Sequence, residues 1–371
     1  MMNDTGLGGA DYVGYLYTFY FMLVPFYCIY SGLVIDSGGF ALALSSGLLL
    51  TLFGTLTTTM AALHSSYPLM LLGRVMSGGC EAVESTLLAY IAIVCRGSLK
   101  WEGFAFALSN AMLNLGNVIL FFLVPPLLQY GYLYSLGSTV ILSVFAILAT
   151  FAILGMDRRL DLSKERDPEV KESIQLSAIW QQSTKFWLIT YLSASNLGIY
   201  FNILSFCVLY EYNAGYSTET SGYIPALCSM ISLLSPLAML IIDRYRIHNI
   251  VLFSGAIVNV ACFFFLSLEL PFPFIFFISM GVVYTTSDPI YLELISNEVH
   301  QNFLGTAFSL QTIIHAVLHI MYPAIGGWIS VRFGWFGFFL FFFGCSTLNL
   351  VVLVVYFLLA KRIIGTKYAV I

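Results

Sequence analysis

Charged side chains are scarce in this chain. Only 9% of its 371 residues are Asp, Glu, Lys or Arg, against roughly 25% in an ordinary soluble domain. That is too few to coat a water-facing surface. The net charge is only −4 and no basic stripe is present, so the electrostatic footprint of nucleic-acid binding is missing. The seven cysteines form no CxxC pair. All lie in or beside apolar runs and read as small packing residues, not as a disulfide framework. The first residues lack a basic n-region and a small-residue cleavage site, so no signal peptide is expected. HExxH and GxSxG are absent and no hydrolase-like carboxylate–His cluster stands out. Enzymatic activity, a cofactor and a metal are therefore not expected.

What the chain does contain is apolar: 59% hydrophobic residues, 16% aromatic, with mean hydropathy +0.90. A spanning helix needs about 20 such residues, because lipid offers backbone N–H and C=O groups no partner. Runs of that size lie near 12–35, 40–63, 67–95, 103–129, 132–155, 186–210, 220–242, 248–269, 271–295, 303–330 and 335–360. The expected fold is an all-α integral membrane protein of eleven spans. The weakest cuts are at 269–271 and 330–335.

Basic residues set the orientation. Thirteen of the fifteen Lys and Arg fall in one alternate set of connections or the tail: Arg96, Lys100, Arg158, Arg159, Lys164, Arg166, Lys171, Lys185, Arg244, Arg246, Lys361, Arg362 and Lys367. Arg332 stands alone on the opposite side and Arg74 lies inside a span. The tail and the polar stretch 156–185 are therefore expected in the cytoplasm, with the N-terminus and its sequon at Asn3 on the other side. This stretch reads as a solvated linker. It divides the chain into a five-span bundle, 1–155, and a six-span bundle with a short tail, 186–371.

Two segments look alike. After the first span comes Gly32-Leu-Val-Ile-Asp36-Ser-Gly-Gly39, and at the end of the seventh comes Ser235-Pro236 followed by Asp243-Arg244. Each places a small residue or proline, an apolar stretch and then an acid at a cytoplasmic helix end. The small residue permits close helix approach, and the acid can accept from the N-terminal amides of a neighbouring helix. Gly32, Asp36, Asp243 and Arg244 are thus candidate gating residues.

This repeated pattern resembles motif A of the major facilitator superfamily. The resemblance implies a secondary transporter with two six-helix halves that rock in alternating access. The first copy follows the first span here, so the eleven spans correspond to that family's helices two to twelve. Within the superfamily, dispersed blocks resemble the lysosomal dipeptide transporters called major facilitator superfamily domain-containing protein 1. These are Leu16-Tyr17-Thr18-Phe19-Tyr20, Gly73-Arg74 with Gly78, Gly79, Glu81, Tyr90 and Arg96-Gly97, then Ala107-Leu108-Ser109 with Asn114-Leu115-Gly116, Ser235-Pro236, and Leu304-Gly305-Thr306-Ala307. That resemblance implies dipeptides or amino-acid derivatives as substrates, a lysosomal or vacuolar membrane (the plasma membrane being the alternative) and a glycosylated accessory membrane protein as partner. The chain departs from the pattern in places. Met22-Leu23-Val24 replaces Trp-Pro-Asn, and Asn114 stands where that family has an arginine suited to a substrate carboxylate. Two alternatives stay open: a carrier of another small organic solute, and a non-transporting scaffold or receptor derived from the fold.

Ionisable groups inside a span are costly and usually face a cavity or a partner. Glu81 and Glu84 lie one turn apart, with Arg74 two turns before Glu81. Glu81 is expected to bind a substrate amino group or a proton, or else to be braced by Arg74. Asp288 precedes Pro289, where a proline is expected to break the helix ladder beside the acid. Glu293, nearer the cytoplasmic end, is expected to be solvated. Gln311, His315 and His319 recur every fourth residue on one stripe; histidine titrates near pH 6.5, and a His pair without Glu is a weak metal signal. The expected substrate-binding set is Glu81, Asn114, Asp288, His315, Tyr20 and Tyr90, serving a small-molecule substrate and protons within the lipid bilayer.

Overall fold

The computed structural model describes residues 16, 18–95, 101–160, 179–216, 218–268 and 273–368. The sequon at Asn3, Tyr17, Arg96 and Lys100, most of the 156–185 linker and the expected boundary at 269–271 lie outside them. The described residues are helical and contain no strand. In order they form α1 Thr18–Asp36, α2 Phe40–Leu63, α3 Tyr67–Cys95, α4 Glu102–Gln129, α5 Tyr132–Leu160, α6 Thr184–Asn213, α7 Thr218–Ser232, α8 Ser235–Tyr245, α9 His248–Ser267, α10 Phe274–Glu298 and α11 Leu304–Tyr368.

Among the described residues, nine helices are each long and apolar enough to cross a membrane. Taken together, α7 and α8, which meet at a 41° bend, are long and apolar enough to count as a tenth. The 65-residue α11 is two helices merged across Gly334, whose φ of 68° and ψ of −167° are not helical. Only glycine takes such a conformation without steric cost. Counting its two limbs separately gives the eleven spans that the apolar runs imply. Large side chains such as Phe151, Ile241 and Val331 remain exposed along these helices, as expected where the surrounding solvent is hydrocarbon.

The chain forms two compact units. One gathers Met1–Arg96, Phe122–Trp180 and Val299–Ile320; the other gathers Gly97–Phe121, Gln181–Glu298 and Met321–Ile371. Chain order alone does not produce this grouping. The start of α4 clusters with the later helices, and the start of α11 clusters with the earlier ones. In the first unit α2 packs on α3 and α5, and α1 packs on α3. In the second, α10 packs on α6, α7 and α9, while Phe338, Phe339 and Phe342 are fully buried. Hydroxyls within the spans satisfy themselves locally. Thr51, Thr58 and Ser77 each donate to the carbonyl one turn back, at 2.9 Å, so they carry no unpaired donor into lipid.

Pro289 does not break its helix. It lies inside a continuous α10, so the expected gap in the ladder does not end the helix. Having no N–H, it leaves the carbonyl four residues earlier without its helical donor. That carbonyl belongs to Thr285, and the Ser235 hydroxyl donates to it at 2.7 Å. Ser235 opens α8, with proline in the first turn, the position where a missing N–H costs nothing. The Ser-Pro pair thus stops α7, restarts the helix and repairs α10. Ser235→Ala should destabilise the protein by about 1 kcal/mol, read as a lower thermal unfolding midpoint in detergent. In a Pro289→Ala background, where residue 289 regains its N–H, most of that loss should vanish; an undiminished loss would contradict the pairing.

Candidate substrate and gating sites

Asp36 is the last residue of α1. Its Oδ1 accepts the Gly305 N–H at 2.7 Å, and its Oδ2 accepts the Thr306 N–H at 2.7 Å and the Thr306 hydroxyl at 2.5 Å. These amides belong to the first turn of α11, where the helix leaves its N–H groups unpaired and its dipole favours an anion. The contact requires the two backbones to touch. A Cβ added to Gly305 would lie 2.7 Å from both Asp36 Oδ1 and the Gly32 carbonyl oxygen, and one on Gly32 would lie 2.7 Å from Ser309 Oγ. Gly32 and Asp36, singled out in the sequence, meet here with Gly305, which appeared there only as part of a resemblance.

Asp243 behaves differently. Its Oδ1 pairs with His248 Nε2 at 2.8 Å, and its Oδ2 is buried with no hydrogen-bond partner. Arg244 is exposed, its guanidinium 5.9 Å from the Tyr245 ring. Glu293, expected to be solvated, is not: its side chain is 16% exposed and lies 3.8 Å from His248 Nε2. Burying it was unreadable from α10 alone, because the covering groups come from other helices.

In the first unit Glu81 Oε1 accepts from the Tyr20 hydroxyl at 3.1 Å. Phe21, Val24, Cys28, Ala82 and Ala316 form one buried cluster beside it. The Phe21 ring lies 6.3 Å from His315 and 4.5 Å from His319, centroid to centroid. Tyr20, Glu81 and His315 are thereby brought to one neighbourhood, with Phe21 as the contact that sequence reasoning missed. Arg74 does not brace Glu81. It is exposed, and no ion pair joins the two among the described residues. Tyr90 lies elsewhere: its hydroxyl donates to Asp157 Oδ1 at 2.9 Å and its ring stacks on Phe40 at 4.1 Å. Nine residues of helix, about 13 Å of rise, separate it from Glu81.

In the second unit Asn114 Nδ2 donates to Asn110 Oδ1 at 2.7 Å and to the Asn110 carbonyl at 2.9 Å. Asn110 Oδ1 also accepts from the Tyr284 hydroxyl at 3.0 Å, and the Tyr284 ring stacks on Tyr200 at 3.9 Å. Asn110 Nδ2 is buried without a partner. Asp288 follows Tyr284 by four residues, hence on the same face of α10. It is 5% exposed and has no hydrogen-bond or ion-pair partner among the described residues. Asn110, Tyr200 and Tyr284 were missed. The spacing of Asn110 to Asn114 and of Tyr284 to Asp288, one turn each, was the signal available.

Deeper in this unit, Asn196 Nδ2 donates to Ser287 Oγ at 3.1 Å. The Ser195 hydroxyl pairs with the Tyr322 hydroxyl at 2.8 Å and with Asn349 Oδ1 at 2.9 Å. These buried polar groups satisfy one another, and we read them as helix-to-helix ties rather than as a binding surface.

Comparison with known proteins follows the same lines. The family model described as Major Facilitator Superfamily matches residues 1–321. A search of curated proteins finds no match. Among solved structures, the human organic anion transporter MFSD10 (TETRAN) is similar at 16% identity and a TM-score of 0.66, covering 95% of this chain and 87% of that one. The proton:xylose symporter XylE, bound to 6-bromo-6-deoxy-D-glucose, is similar at 13% identity and a TM-score of 0.72, covering 93% and 86%. A bacterial homologue of the iron transporter ferroportin, in an outward-facing state, gives 16% and 0.69, covering 94% and 89%. At such identities the likeness is one of fold.

The close approach at Gly305 yields a direct test. Gly305→Ala should lower stability by about 1–3 kcal/mol, because the added methyl overpacks a backbone contact. Gly116→Ala, where an added Cβ meets nothing within 4 Å, should be neutral or mildly stabilising. Equal unfolding midpoints for the two variants in detergent would contradict the packing described.

Proposed function

We propose a substrate class and a set of binding groups for this chain, which belongs to the major facilitator superfamily and is a secondary transporter of small solutes. The proposed substrate is a small zwitterion, a dipeptide or amino-acid derivative, carried by alternating access. The proposed organisation is a five-span bundle, 1–155, a cytoplasmic linker, 156–185, and a six-span bundle, 186–371. A lysosomal or vacuolar membrane and a glycosylated accessory partner come with the dipeptide reading and rest on sequence resemblance alone.

The observation that carries the substrate reading is Asp288. A buried carboxylate with no protein partner is strongly disfavoured. An ammonium group or a proton relieves that cost, and a dipeptide supplies the ammonium. In the same unit the unused Nδ2 donor of Asn110 offers a neutral hydrogen bond to the substrate carboxylate, a weaker substitute for the arginine that Asn114 replaces. Glu81, held by Tyr20, serves as the second carboxylate for an amino group or a coupling proton. Asp36 on the first turn of α11 acts as a latch that opens and recloses in each cycle.

The similar structures named above include transporters of organic anions and of xylose, each the property of that protein. A carrier of another organic solute is therefore the second reading, favoured by the missing arginine. Uptake of mixed dipeptides into proteoliposomes, at internal pH 5 and 7, separates them. Saturable uptake is expected, falling at least tenfold in Asp288→Asn and in Glu81→Gln. Uptake no faster than in protein-free vesicles would overturn the dipeptide reading.

A further inference from the structure

The two acid-bearing helix ends are built from similar sequence but end in different electrostatic states. At α1 the Asp36 carboxylate takes three donors and both its oxygens are satisfied. At the end of α8, Asp243 holds a single ring nitrogen. The chain leaves α8 through Arg246, in the left-handed region at φ 54°, and returns at once into α9, which places His248 Nε2 2.8 Å from Asp243 Oδ1. Glu293 reaches the same nitrogen from α10, at 3.8 Å. One ligand atom from each of Asp243, His248 and Glu293 lies within 4.8 Å of the others.

Three further facts make this more than a group of acids. Asp243 Oδ2 and Glu293 Oε2 are both buried and both lack a hydrogen-bond partner. Glu102, 3% exposed at the start of α4, lies close enough for its charge to act on Glu293. Finally, Gly103 leaves room for the carboxylate, since a Cβ there would stand 2.9 Å from Glu293 Oε2. Two acids that each keep a buried oxygen without a hydrogen bond, beside one imidazole, present the mixed nitrogen and oxygen donor set of a metal site.

We propose that Asp243, His248 and Glu293 form a site for a divalent transition-metal ion at this end of α8. One imidazole and two carboxylates suit Zn²⁺ or Mn²⁺ better than the all-oxygen preference of Mg²⁺ or Ca²⁺. For Zn²⁺, ligand bonds of about 2.0–2.1 Å place tetrahedral ligand atoms roughly 3.3 Å apart; the two distances on His248 Nε2, 2.8 and 3.8 Å, bracket that value. A bound ion would tie α8, the start of α9 and α10 together beside the first turn of α4. The site is independent of the substrate groups Asn110, Tyr284 and Asp288.

The test uses the full-length protein, purified in detergent and stripped with chelator. Titration with Zn²⁺ followed by calorimetry should show one saturable equivalent. His248→Asn and Glu293→Gln should each weaken it at least tenfold, while the paired variant His315→Asn/His319→Asn leaves it unchanged. No saturable binding, unchanged affinity in His248→Asn, or loss confined to the His315/His319 variant overturns the assignment. Should the single variants not fold, X-ray absorption of the Zn²⁺-loaded wild-type protein decides. A nitrogen and oxygen shell with one imidazole supports the site; two imidazoles or a sulfur ligand overturns it.

Discussion

The contact of the Asp36 carboxylate with the first turn of α11 is the constraint around which the gating account turns. An anion at a helix N-terminus supplies acceptors for the first amides of the helix and sets negative charge against the positive end of its dipole. Hydrogen bonds to an ionised group contribute about 1.5–3 kcal/mol each, so three of them hold the two helices firmly. They also depend on geometry that is easily lost. Gly32 and Gly305 allow the backbones to touch, and a separation of little more than an ångström would break all three bonds together. A contact that is strong when made and absent when slightly displaced has the bistability a transporter gate needs.

The half-buried and buried carboxylates show one chemical group in four environments. Asp36 is saturated by backbone donors; Glu81 has a tyrosine hydroxyl; Asp243 shares a histidine with Glu293; Asp288 has none of these. In lipid the cost of an unpaired charge scales with what surrounds it, and the four sites therefore divide the work. The carboxylate with three donors is the proposed latch, and the less satisfied ones are the proposed sites for substrate, proton or metal ion. Among the described residues, the second unit holds Asn110 Nδ2, Asp243 Oδ2 and Glu293 Oε2, each buried without a hydrogen-bond partner.

Much of this was legible in the sequence, for a physical reason. Lipid forbids irregular exposed backbone, so span count follows from apolar run length, and even the doubtful boundary near 330–335 proved to be a glycine break at Gly334. The acid after Gly32 was readable because its partner class, a helix N-terminus, is generic. Side-chain partnerships across helices were not. Tyr90 was expected in one substrate-binding set with Glu81 but pairs with Asp157, 67 residues away. Pro289 looked like a break because the donor that repairs the ladder, Ser235, comes from another helix. Asp243, His248 and Glu293 converge from three helices, and no spacing rule in one sequence joins them. Helical periodicity says which residues share a face and is silent on what the face meets.

Amide hydrogen exchange at Gly305 and Thr306, followed in proteoliposomes with and without a transported solute, tests the gating claim most directly. The account predicts strong protection at rest and exchange at least tenfold faster during turnover, when the Asp36 contact must open. Protection that stays unchanged while solute is being carried would contradict a latch that opens in each cycle.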